Sequence, residues 1–295
     1  MRRLLLLVSA FCVSAIIAAP KATINEIKLE YKTYGFSDPN PVPTPHWQMY
    51  PYFRFAGFDK DAKKKTWNVV RLENKYIYVD VFPEIGGKVW TAHDKVNDKD
   101  FLYNNRVVKF RDIAMRGAWT SGGIEFNFGL IGHQPTVSTP IDYVTRCNPD
   151  GSVSCFVSSY EFMNGSFWSV EINVPADKAY FRTSVTWHNI SSSEVSSYQW
   201  MNAAYKARGK AEYIFPGNAF IGHGTELDSW PIDSKGHDLR FYDDYEKFSG
   251  DASEHVLGYL GDFYGVYYHK DAFGTVHHAP YDAKLGQKIF LWSSA

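Results

Sequence analysis

Residues 115–133 read MRGAWTSGGIEFNFGLIGH and gather Arg116, Trp119, Glu125, Asn127 and His133 into one short stretch. Glutamate and histidine are the side chains that most often move protons in catalysis. Arginine and asparagine hold hydroxyls or carboxylates, and an indole offers a flat apolar platform to a ring. The five glycines in the stretch raise a different possibility, a phosphate-cradling loop. That loop needs a Lys followed by Ser or Thr and then a helix, and SGGIEFNFG supplies neither. Instead Ile124, Phe126 and Phe128 alternate with Glu125 and Asn127, the pattern of a strand with an apolar and a polar face. Gly122, Gly123 and Gly129 are expected to leave the flanks open to a ligand. The plainer alternative is an ordinary strand whose polar side chains face water.

Two further stretches carry candidate chemistry. In YQWMNAAYKA, residues 198–207, alternation sets Trp200, Asn202, Ala204 and Lys206 on one face, opposite Met201, Ala203 and Tyr205. An indole, an amide, a small gap and an ammonium in a row suit a polyhydroxylated ring. A surface strand with a salt-bridged Lys is the alternative. PGNAFIGHGTELDSWP, residues 216–231, reads as a loop holding His223, Glu226, Asp228 and Trp230. Such loops often wall a site, or simply fold around a satisfied histidine. His277 and His278 are adjacent, so a strand sends them to opposite faces and one metal cannot take both. No HxxxH or HxH spacing and no GxSxG elbow occurs. No cofactor is called for, although acidic loops leave a divalent cation such as Ca2+ open.

Strands must position these residues. KYIYVDVF (75–82), KVWTAHD (88–94), SVSCFVSSYEF, SFWSVEINV, AYFRTSVTWH and FYGVYYHK all read as strands, parted by turn clusters such as NPDG, PADK and SSSE. No segment sustains a helical apolar period. The expectation is an all-β fold, a sandwich or large antiparallel assembly, spanning residues 61–295 as one domain. Residues 23–60, polar and rich in proline, read as an extended arm lying on that body. Aromatic residues make up 17% of the chain, as expected for an all-β core or a sugar-handling surface. With 31 basic and 32 acidic residues, the chain has no basic excess for nucleic acid.

Residues 1–22 have a basic pair, an apolar run and small residues, the layout of a secretory signal peptide. No later stretch approaches a membrane span. Export to a periplasmic or extracellular space follows. Cys147 and Cys155 flank the turn of CNPDGSVSC, where alternation sends them to opposite faces, against a disulfide. The chain stops at QKIFLWSSA, in what reads as a strand, which suggests a C-terminal truncation.

PEIGGKVWTAHDKVNDKDFLY, MRGAWTSGGIEFNFGLIGH, YQWMNAAYKA and APYDAKLGQKIFLW form an ordered series over roughly residues 45–293. This series resembles a bacterial domain-of-unknown-function family met in exported glycan-degradation systems and beside tetratricopeptide repeats. That family in turn resembles the galactose-mutarotase-like superfamily, which implies a large antiparallel β-supersandwich with a sugar site on its concave face. YQWMNAAYKA lies where mutarotases carry a catalytic His, and here the strand offers Asn202 and Lys206 instead. The resemblance implies an exported carbohydrate-binding protein, a poly- or oligosaccharide its partner. The expected activity is that of a glycan-acting enzyme of the glycoside-hydrolase kind. The alternatives are a sugar mutarotase (aldose 1-epimerase-like), a polysaccharide lyase or a non-catalytic binding module. Glu125 and His133 are the expected catalytic pair. Arg116, Trp119, Asn127, Trp200, Asn202, Lys206 and His223 are expected to hold the substrate. A hydrolase would need a second carboxylate about 5–9.5 Å from the first, for which Asp142, Glu226 and Asp228 compete.

Overall fold

The structure is a computed structural model that describes residues 21–35, 59–112, 118–129, 133–161, 163–196, 198–244, 252–258, 261–283 and 286–291. It is nearly all β, as expected. The chain begins with β1 (Thr23–Thr33), β2 (Lys63–Glu73), β3 (Ile77–Phe82), β4 (Lys88–Asp94), β5 (Lys99–Asp100) and β6 (Val107–Val108). A two-stranded ribbon, β7 (Arg111–Asp112) and β8 (Ala118–Trp119), precedes β9 (Ile124–Gly129). Next come β10 (Asp142–Cys147), β11 (Val153–Glu161), β12 (Ser166–Val174) and β13 (Arg182–Asn189), then β14 (Tyr198–Ala203). The remaining strands are β15 (Ala211–Ile214), β16 (Ala219–Gly222), β17 (Leu227–Ser229), β18 (Ala252–Leu257), β19 (Phe263–Tyr268), β20 (Phe273–His278) and β21 (Gln287–Leu291).

Two sheets make the main sandwich. The larger has the order β14-β9-β4-β3-β2-β1-β6, with β5 paired to β4. The smaller is β10-β11-β12-β13. Their facing side chains alternate along each strand as the pleat requires. Val79, Val89, Ile124, Phe126 and Phe128 of the large sheet meet Cys155, Val157, Trp168, Val170 and Ile172 of the small one. Phe128 and Trp168 stack across the seam with ring centroids 4.5 Å apart. The large sheet carries a second buried apolar cluster, of Trp67, Phe82, Ile85, Trp90, Val108 and Phe110. Sheets β15-β19-β20 and β17-β16-β18-β21 close round a third core that includes Phe220, Trp230, Tyr242 and Tyr268. Tyr205 packs against both this core and the main one.

The expected arm needs correction at its start. Residues 23–33 are a full strand inside the large sheet, paired with β2 from Thr23↔Glu73 to Thr33↔Lys63. Its Ile27, Leu29 and Tyr31 line the second apolar cluster, between the charged Lys28, Glu30 and Lys32. The rest of the arm, residues 36–58, lies outside the described residues. So does the expected signal peptide, apart from Lys21 and Ala22. Ala22 is buried in the main core, and its N–H donates to the Gly151 carbonyl at 2.9 Å. Cys147 is exposed and Cys155 buried, and neither is in a disulfide. Among the described residues no helix is long and apolar enough to cross a membrane.

Candidate functional site

Three neighbouring strands, β4, β9 and β14, build the site. β9 pairs with β14 so that Trp200 lies opposite Asn127, and Asn202 opposite Glu125. The apolar members of both strands, Ile124, Phe126, Phe128, Met201 and Ala203, turn to the main core. Glu125, Asn127, Trp200 and Asn202 therefore share the other face, as alternation predicted. On that face Trp200 and Asn202 are half-buried, and the other two are shut away from water. Glu125 is 3% exposed and Asn127 fully buried.

His133 follows β9 and returns to the same place. Its Nδ1 lies 2.9 Å from Glu125 Oε1, an ion-pair contact between two nearly buried side chains. The His133 ring meets Trp200 edge to face, with centroids 4.8 Å apart. Asn202 Nδ2 donates to the same Glu125 Oε1 at 3.4 Å. Asn127 Oδ1 accepts the Gln134 N–H at 3.4 Å. A carboxylate and an imidazole side by side offer two groups able to accept or donate protons to one ligand.

Sequence reasoning missed one member, Lys88. Val89 of β4 pairs with Ile124 of β9, which sets Lys88 beside Glu125. The register of β3 and β4 shifts between Asp80 and Val81, so that β4 carries an extra residue at Trp90. Such bulges re-aim side chains beside functional sites. Lys88 is buried, and its Nζ donates to the Thr120 carbonyl. Burial lowers its ammonium to about 8, against the opposing pull of the Glu125 charge. The sequence signal was present: a Lys between Gly87 and Val89, inside an apolar strand.

One of the glycines plays a different part from the one expected. Gly123 does not open the flank. A Cβ there would sit 1.9 Å from the Val89 carbonyl oxygen, and its φ is +62°. Its N–H donates to Tyr103 O, and its carbonyl accepts the Ala204 N–H. Gly123 thus lets β4, β9 and the end of β14 close up on one another.

The other expected site residues divide. Trp119 ends β8, which packs beside the 3-10 turn Pro135–Ser138 just after His133. Arg116 lies outside the described residues. Lys206 is not on the strand, because β14 ends at Ala203. Its N–H donates to the Tyr268 hydroxyl at 2.9 Å. His223 is in the turn after β16, away from the β4–β9–β14 face, with its Nδ1 2.9 Å from Lys288 Nζ. The loop expected over 216–231 holds the hairpin β16–β17. The competing carboxylates are elsewhere as well. Asp142 starts β10 in the small sheet, Glu226 sits in the turn between β16 and β17, and Asp228 is on β17. Among the described residues no group of three or more His, Cys, Asp or Glu side chains is arranged to hold a metal ion.

The fold has a solved counterpart. A TPR-domain containing protein from Parabacteroides distasonis is similar over 94% of this chain, with a TM-score of 0.82 and 23% sequence identity. This chain spans 48% of that protein's length. The profile of one family, described as a domain of unknown function (DUF5107), matches residues 45–295. That match covers all the strands of the site, and the chain belongs to the DUF5107 family.

Proposed function

We propose that this protein is an exported carbohydrate-active enzyme that binds a sugar against the β4–β9–β14 face and moves protons on it with Glu125 and His133. The observation that carries the reading is the Glu125–His133 pair at 2.9 Å, buried beside the Trp200 indole. The indole would cover an apolar sugar face while Asn127 and Asn202 bond hydroxyls. The export reading draws on the layout of residues 1–22. Likeness to the galactose-mutarotase-like superfamily belongs to the same proposal.

The geometry favours chemistry that needs one proton acceptor and one donor over chemistry that needs two carboxylates. Of the competitors for a second carboxylate, Asp142 and Asp228 sit on other sheets and Glu226 in the β16–β17 turn. Mutarotation fits the pair. The anomeric hydroxyl gives up its proton, the ring oxygen takes one, and the bond between C1 and the ring oxygen breaks to leave an open-chain aldehyde. Reclosure on the other face of the carbonyl returns both protons.

A screen of mono- and oligosaccharides against wild type and Glu125→Gln tests the reading. Wild type is expected to turn over at least one sugar, and Glu125→Gln to keep binding while losing turnover. Binding without turnover by wild type across the screen would make this a sugar-binding module. Indifference to every sugar would end the carbohydrate reading.

A further inference from the structure

Several buried donors round Glu125 lack a partner. Lys88 Nζ carries three N–H bonds as an ammonium, and Thr120 O accepts one of them. Thr120 Oγ1, Asn127 Nδ2 and Trp200 Nε1 are all buried with no hydrogen-bond partner among the described residues. Two acceptors nearby are already engaged. Glu125 Oε1 faces His133 and Asn202, and Asn127 Oδ1 takes the Gln134 N–H. A buried donor left unpaired costs about 1–3 kcal/mol. Native interiors keep few of them, and a cluster on one face calls for an explanation.

The missing partner can be described from these unpaired donors. A neutral hydroxyl brings a donor with every acceptor, and that donor would compete for acceptors already in use. A carboxylate brings acceptors alone, two oxygens with about four lone-pair positions. A buried ammonium also supplies the opposite charge that a carboxylate needs when it leaves water. We infer that this face takes an acidic sugar, a uronate, with its carboxylate held by Lys88 Nζ and the neighbouring donors of Thr120, Asn127 and Trp200. The inference rests on the carbohydrate reading above and narrows its substrate class.

The pH dependence follows from the groups that face Lys88. These are Glu125 from β9, the His133 ring in contact with Glu125, and the Thr120 carbonyl. The free ammonium titrates at about 8, while a sugar carboxylate stays ionised throughout the neutral range. Uronate affinity therefore falls as pH rises past that value, and affinity for a neutral sugar has no such cause to fall.

Calorimetric titration of the full chain with D-glucuronate and D-galacturonate, set against their methyl esters and the parent hexoses, tests this. At least one uronate should bind about tenfold or more tighter than its ester and its hexose, a difference of about 1.4 kcal/mol. That preference should shrink from pH 7 to 9 and vanish in Lys88→Met. Esters and hexoses binding as tightly as uronates would overturn the inference and leave the carbohydrate reading standing. A uronate preference that survives Lys88→Met would remove Lys88 as its seat. No binding of any of these sugars would count against both. The ester comparison and the pH series use wild type alone, so they decide even if Lys88→Met does not fold.

Discussion

Replacing Glu254 by glutamine should flatten the protein's stability between pH 4.5 and 8. Glu254 lies on β18, opposite Gly222 of β16 and Ile289 of β21. It is 6% exposed, and its Oε2 has no hydrogen-bond partner among the described residues. Glu226 crowds the same spot, since a Cβ on Gly222 would meet Glu226 Oε1 at 1.8 Å. Burial first, and the Glu226 charge second, push Glu254 from 4.5 up to about 7, with Lys288 pulling the other way. A raised carboxyl binds its proton more tightly folded than unfolded. Its contribution is complete below the unfolded value and is lost as pH climbs through the folded one. One pKa unit is worth about 1.4 kcal/mol, so the loss reaches about 3 kcal/mol by pH 8. For a chain of this size that is about 5 °C in melting temperature. Thermal melts of wild type and Glu254→Gln at half-unit steps from pH 4.5 to 8 would read it. The difference should grow with pH in the variant's favour, while groups common to both chains cancel. Parallel curves would refute the burial argument.

Three other outcomes are expected. Gly123→Ala should cost about 3 kcal/mol or more in urea denaturation, because positive φ and the 1.9 Å approach to Val89 O both oppose a side chain. Asp80→Ala should cost about 3–5 kcal/mol in the same assay, since it strips a buried carboxylate from its two bonds to Arg71 at 2.7 and 2.8 Å. Thiol alkylation of the folded chain, mapped by mass spectrometry, should label exposed Cys147 well before Cys155, whose thiol burial pushes up to about 12.

Much of the framework was legible in short-range pattern. KVWTAHD and SFWSVEINV are β4 and β12 to the residue, and alternation in IEFNF separated core from polar positions. A period of two depends only on neighbours, so it reads correctly wherever a strand is regular. What failed depended on partners far along the chain. Lys88 became part of the site through a bulge at Trp90 and a pairing with β9, neither of which leaves a local trace. Lys206 was misplaced because the strand stops at Ala203, and His223 because its hairpin pairs with β18 instead of the large sheet. Alternation separated the two faces of β9 but could not show that Glu125 and Asn127 are buried, because burial depends on segments far along the chain. Gly123 shows the same limit: a glycine can admit a ligand or a neighbouring strand, and only the register of β4 against β9 decides which.

If Glu125 and His133 exchange protons with a sugar as proposed, the exchange speeds the interconversion of its anomers. Exchange NMR on reducing sugars reads this directly, as the rate at which α and β anomers interconvert in the presence of the protein. Wild type should accelerate interconversion of at least one sugar, and both Glu125→Gln and His133→Asn should lose that acceleration. Acceleration that survives both substitutions would contradict the proposal, as would anomer rates that wild type leaves unchanged across the panel.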